Sequence, residues 1–368
     1  MQKHQNPFSL HFCDPVPGDA GLHPLFCKSL IKSAKFSYNL LNNQEIILAR
    51  LLQRKEITWA AVHRRICRQQ HEGSCARIDN PFFPKDRMET DMNVIDFRFR
   101  PNTPEIINGI KNSTMFKAAC EVIGFDQRKP QPLDEIVADL DAMGVELGVI
   151  TGRDAETTYG FPANNNSVLE FCRAYPDKFV GLWGIDPHKK MAAVREIEKV
   201  VREYGMKGIA IDPYLAHMPA SDARFYPLYT KCCELDVPVF ITMAPPPCVP
   251  GAILEYADPR DVDKVARDFP ELTLIMSHGG YPFVDAAIYT CQRNANVYMD
   301  ISEYERSPQV ETYVKAMCTT ISDKVLFASA HPFIELRDAL DAYAAFPFTD
   351  EVRGKIMYEN ARKVLKLA

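Results

Sequence analysis

The chain has 368 residues and a formal net charge of -5, with 46% hydrophobic and 25% charged residues. That balance excludes a disordered chain and gives no basic run for a nucleic-acid partner, and no apolar stretch approaches the roughly 18 residues of a membrane span. The expectation is a cytoplasmic globular protein with one large domain and an extension.

Residues 1 to 91 carry 13 Lys and Arg against 9 Asp and Glu, so the remaining 277 residues carry 30 against 39. This first segment contains helix-like stretches such as EIILARLLQRK and ITWAAVHRRICRQQ, separated by loops. It offers no visible chemistry. Three readings stand: a mainly helical extension on the outside of the domain, a native start at Met88 or Met92 that would leave it non-native, or DNA binding by its basic helix. The eleven cysteines lack zinc-type spacing or the density of a disulfide scaffold.

From residue 92 to 368 the chain alternates short apolar runs with longer helix-compatible segments. The runs are NVIDFR, LGVITG, FVGLWGID, GIAIDP, PVFITM, LTLIMSHGG, VYMDIS and VLFASAHP. Segments such as AVREIEKVVREYG and DPRDVDKVARDFP lie between them, with helix-start residues before and Gly, Asp or Pro after. Eight strand-helix units in this length predict a (β/α)8 TIM barrel, with chemistry at the C-terminal ends of the strands. An open doubly wound sheet is disfavoured, because no G-x-G-x-x-G follows the first strand.

VIDFRFRPNTPE, KGIAIDP, DVPVFITM, MSHGGYPFVDAAI, NVYMDIS, VLFASAHPF and MYENARKVLKL, in this order and spacing, resemble the amidohydrolase-related family. That branch of the amidohydrolase superfamily includes aminocarboxymuconate semialdehyde decarboxylase, resorcylate-type decarboxylases and pyrone dicarboxylate lactonase. The resemblance implies metal ligands at two positions on strand one and at one each on strands five, six and eight. This chain has Arg98 and Arg100, then Thr242, His278 and Ala330 at those positions. Only His278 could be a ligand.

Arginine is always protonated and has no lone pair to give a metal. At about 5 Å and an effective dielectric near 20, each guanidinium repels a divalent cation by roughly 6 to 7 kcal/mol. The expectation is therefore no metal and no cofactor. Arg98 and Arg100, two apart on a strand, share one face and suit a carboxylate or phosphate. Neutralisation by Asp96, Asp186 or Asp300 is the structural alternative.

Other strand ends supply further candidates. Arg153 is either a third anion contact or the partner of Asp154 and Glu156. Asp186 and His188 read as a site or as a turn and cap, and His217 reads as a solvated loop residue. Tyr214, Thr242 and Glu303 are candidate substrate contacts, with Asp212 beside Tyr214 at the end of strand four. Glu303 and Glu305 are either bases or surface charges. His278 and His331 are the expected acid-base pair, acting with Arg98 and Arg100.

The first functional reading is hydrolysis of a lactone or activated ester on a small anionic substrate, without metal. Lyase chemistry on a similar carboxylate is the alternative, and an inactive binding barrel is a third. No nucleic-acid or membrane partner is expected, and the oligomeric state, a homodimer among the options, is left open.

Overall fold

The computed structural model describes residues 93–161, 163–245 and 249–367. The first segment, residues 1 to 91, lies outside the described residues, and so do the readings made for it.

Seven parallel strands run in chain order: β1 Val94–Phe99, β2 Val145–Thr151, β3 Phe179–Gly184, β4 Gly208–Ile211, β5 Val239–Thr242, β6 Leu274–Ser277 and β7 Val297–Met299. Each lies within or overlaps one of the first seven predicted runs. Eight helices alternate with them: α1 Leu133–Ala142, α2 Asn165–Ala174, α3 Met191–Tyr204, α4 Tyr226–Leu235, α5 Pro259–Asp268, α6 Val284–Arg293, α7 Val310–Met317 and α8 Leu336–Ala345. Their apolar residues recur at helical spacing. In α3 Ala193, Ile197 and Val200 are buried, and in α5 Val262, Val265 and Ala266 are. The start of α5 is set by Asp258, whose carboxylate accepts from Arg260 N, and by Pro259 in the first turn.

The eighth run is not a regular strand, yet it closes the barrel. Met299 N donates to Lys324 O at 2.9 Å and Leu326 N to Met299 O at 2.9 Å, while Phe97 N donates to Phe327 O at 2.8 Å. Two donors that would continue the ladder go elsewhere. Phe327 N bonds Ile356 O, and Ser329 N bonds the Asp96 carboxylate. The architecture is the expected (β/α)8 barrel with one irregular stave.

The register of β1 positions the site. Ile95 and Phe97 fill the barrel with Val149, Leu182, Ala210 and Phe240, whereas Phe99 joins the outer core of sheet against helices. Strict alternation from Phe97 would send Arg98 and Arg100 outward. A β-bulge prevents this: Asp96 pairs with Gly148 and Phe99 with Ile150, three residues of β1 set against two of β2. The bulge reverses the parity and turns both arginines into the barrel mouth.

Candidate active site

Inward residues at the C-terminal ends of six of the seven strands form a polar layer on the apolar filling. Arg98 and Arg100 come from β1, Thr151 from β2, Asp212 follows β4, Thr242 ends β5, Ser277 ends β6 and Asp300 follows β7. All are buried.

Arg98 Nη1 donates to Ser277 Oγ at 2.9 Å, and its guanidinium lies 5.2 Å from the centre of the Phe240 ring. Arg100 Nη2 donates to Thr151 Oγ1 at 3.0 Å. Arg98 Nε and Arg100 Nη1 are buried without any partner. Among the described residues no carboxylate forms an ion pair with either side chain. Asp96 does not neutralise them: its carboxylate accepts from the Arg98 backbone, the Ser329 backbone and Ser329 Oγ. Asp186 instead caps the turn at His188 and accepts from Thr157 N. Asp300 offsets part of the Arg98 charge at a distance. Burial lowers the pKa of Arg98, and burial followed by the neighbouring Arg98 charge lowers that of Arg100 much further.

Arg153 behaves differently. It grips Asp212 through Nε to Oδ2 at 3.0 Å and Nη2 to Oδ1 at 3.1 Å, the two-pronged geometry that suits a guanidinium and a carboxylate. Its expected partners Asp154 and Glu156 bind Lys189 instead, at 2.7 and 2.8 Å. Gly184 allows this placement, since a Cβ there would stand 2.4 Å from the Arg153 amide nitrogen. Tyr214 and Thr242 lie beside this pair: Tyr214 OH is 3.5 Å from Arg153 Nη2, and against the effect of burial the Arg153 guanidinium, followed by the Thr242 hydroxyl, holds the Asp212 carboxyl below its ordinary range.

His278 faces the arginines. Its Nδ1 lies 2.7 Å from Ser302 O, and a carbonyl can only accept, so Nδ1 carries the hydrogen and Nε2 the lone pair. Burial, then the Arg98 charge, pushes the imidazole well below its ordinary pKa, and it is neutral. Glu303 Oε1 is 3.9 Å from Nε2. Burial raises the Glu303 carboxyl against the pull of Arg98, Arg100 and Arg153. His278, Glu303 and Ala330 have φ of 63°, 71° and 57°. Such left-handed backbone in non-glycine residues costs of order 1–3 kcal/mol each and tends to mark functional sites.

Three expectations need correction. His331 does not join the arginines: its ring stacks on outward-facing Phe99 at 5.0 Å, and the charge that perturbs it is Arg128. Glu305 is not a surface charge. It is 6% exposed, with Oε1 unpartnered, and burial holds its carboxyl well above the ordinary value. Arg153 has a full ion-pair partner, which leaves Arg98 and Arg100 as the open anion contacts. His217 is an exposed loop residue bonded to Tyr159 OH at 2.8 Å, as expected, and His188 bonds Ala216 O.

The sequence reading missed Thr151 and Ser277, which hold the arginines, and the pairing of Arg153 with Asp212. The signal was present, since each of these residues is within two positions of a strand's end. A separate apolar cluster includes Met115, Phe116, Phe125, Tyr214 and Phe333, and it meets the site at Arg153. Phe116 meets the Arg153 guanidinium at 5.0 Å.

These residues do not suit a divalent metal. Arg98, Arg100, Thr242 and Ala330 occupy the positions of the missing ligands, and His278 is the single imidazole among them. Among the described residues no group of three or more His, Cys, Asp or Glu is arranged to hold an ion. The unpartnered donors call for negative charge.

Fold and site together define a (β/α)8 barrel whose mouth holds cationic donors in place of metal ligands. The chain belongs to the amidohydrolase family, whose model matches residues 118–367. It is 30% identical over 135 residues to 2-keto-4-carboxy-3-hexenedioate hydratase of Sphingobium sp., a match covering 32% of this chain and 40% of the hydratase. It is 22% identical over 282 residues to gamma-resorcylate decarboxylase of Rhizobium sp., covering 62% of this chain and 85% of the decarboxylase. Among solved structures, an uncharacterized TIM-barrel protein from Bordetella bronchiseptica is similar at a TM-score of 0.64 and 25% identity, covering 75% of this chain and 99% of that one.

Proposed function

We propose that this protein is a metal-independent lyase acting on a small carboxylated substrate, with elimination or addition of water as its reaction. The observation that carries the reading is the pair of buried arginines with unpartnered donors opposite a neutral histidine. Arg98 Nε and Arg100 Nη1 would bind the substrate carboxylate. His278 Nε2 would take a proton from the carbon that loses it. As the C–O bond breaks, Glu303 would give its proton to the departing hydroxide, and water leaves. The reverse sequence adds water. A neutral base beside a carboxyl whose pKa burial raises suits this exchange.

Hydrolysis, the first reading of the sequence, receives less support. The printed activities of the relatives, a hydratase and a decarboxylase, are both lyase reactions. Loss of the clamped carboxylate as carbon dioxide is disfavoured, because the arginines stabilise that group in its ionised ground state. An inert barrel would have no use for two buried guanidinium donors left without partners.

The test is a thermal-shift screen of small mono- and dicarboxylates, followed by assays for water loss or gain and for carbon dioxide release on those that bind. Reversible hydration of an unsaturated acid is the expected result. Ester cleavage without either lyase reaction, or the absence of any stabilising carboxylate, overturns the proposal.

A further inference from the structure

Asp300 and Ser302 make no hydrogen bond to Arg98 or Arg100, and their side chains are joined to His278 instead. Asp300 Oδ1 accepts from His278 N at 3.2 Å and from Ser302 N at 3.0 Å, so one oxygen ties the end of β6 to the end of β7. The same oxygen lies 2.6 Å from Ser302 Oγ. Since it already takes two N–H donors, it is the acceptor here and the serine hydroxyl donates. With its hydrogen committed, Ser302 Oγ can only accept from His278 Nδ1, 3.1 Å away. Ser302 O accepts the same hydrogen at 2.7 Å.

We infer that Asp300 and Ser302 are positioning residues that lock His278 in the Nδ1–H tautomer, so that its Nε2 lone pair faces the arginines and Glu303. Every hydrogen in the chain from Asp300 through Ser302 to His278 has one allowed direction. Isolated imidazole has no such constraint, and the opposite tautomer would put a hydrogen on Nε2 and set Nδ1 against two oxygens. The turn that carries Ser302 also carries Glu303 in its left-handed conformation, so the same pair of residues sets the separation of base and acid. This assignment deepens the lyase reading, in which His278 accepts a proton at Nε2. It can be tested without a substrate.

The experiment is long-range proton–nitrogen correlation on the full chain with nitrogen-labelled histidine, His278 being assigned by its loss in His278→Gln. The wild type is expected to give a protonated Nδ1 and a bare Nε2, unchanged from pH 8 to pH 5. In Ser302→Ala the hydroxyl acceptor is lost while the residue 302 carbonyl and its backbone bond to Asp300 remain, and the tautomer ratio should move toward Nε2–H by roughly fivefold. Once a substrate is known, the same variant should lose about 10- to 100-fold in kcat with little change in KM, the range for partners that orient a histidine.

A wild-type His278 carrying its hydrogen on Nε2, or an unmoved tautomer in Ser302→Ala, overturns the inference. A loss of melting temperature alone, with the tautomer intact, assigns the pair a merely structural role and likewise overturns it. A shifted tautomer with unchanged kcat supports the assignment and removes His278 from the reaction, which is a failure of the lyase reading instead.

Discussion

Arg153 and Asp212 form a closed two-pronged ion pair at 3.0 and 3.1 Å, both side chains nearly removed from water. Arg98 and Arg100 sit in the same mouth with no such partner. The contrast divides the three arginines into one with a carboxylate partner and two with buried donors left open. Asp212→Asn leaves Arg153 buried and unpaired, and should cost about 3–5 kcal/mol of stability. Denaturant unfolding of the variant checks this.

The open arginines should show the opposite sign. A buried donor without a partner costs roughly 1–3 kcal/mol, so Arg100→Met should raise the melting temperature of the ligand-free protein while abolishing its response to carboxylates. Arg98→Lys and Arg100→Lys keep charge but lose the planar fork, and should weaken carboxylate binding by about tenfold or more. Calorimetric titration reads the difference. Lysine variants that bind as well as wild type would mean that charge alone suffices.

Divalent metal should neither bind nor stabilise. Protein purified without chelator should hold far less than one equivalent of zinc or manganese by elemental analysis, and added manganese should leave the melting temperature unchanged. Stoichiometric metal would contradict the repulsion from Arg98 and Arg100.

His331 supplies a pH dependence unrelated to activity. Burial lowers its pKa from 6.5 to about 3. The unfolded chain takes up a proton near pH 6.5 and the folded chain does not, so the stability present above that pH is lost as pH falls toward 3. At pH 5 the loss from this group is about 2 kcal/mol. His331→Gln should flatten that part of the acid limb in melts between pH 7 and pH 4. An unchanged limb would mean that the imidazole is already hydrated in the folded protein.

A chain beginning at Met92 should fold cooperatively and bind the same carboxylates, because the sheet, its helices and all the candidate residues lie after that position. Chemical denaturation with a single transition and a matching thermal shift would bear this out. Insolubility of the shorter chain alone would assign residues 1 to 91 a structural part.

The sequence by itself determined the barrel and which side chains stand at the ends of its strands. Apolar runs of the right length, with helix signals between them, predict strand and helix order because periodicity and caps are local properties. The replacement of imidazole and carboxylate by Arg98, Arg100, Thr242 and Ala330 is equally legible, and arginine has no lone pair to give a metal in any fold. Tertiary structure decided which way side chains point and whom they meet. Alternation along β1 places Arg98 and Arg100 on one face without saying which, and the bulge before Phe99 turned that face inward. Arg153 reached past its chain neighbours to Asp212, 59 residues away, because the curl of the sheet brings the ends of β2 and β4 together. His331 ends an apolar run much as His278 does, but its ring stacks on Phe99, whose side chain belongs to the outer core. The tautomer of His278 depends on a carbonyl 24 residues away, a contact that exists only when β6 and β7 lie side by side.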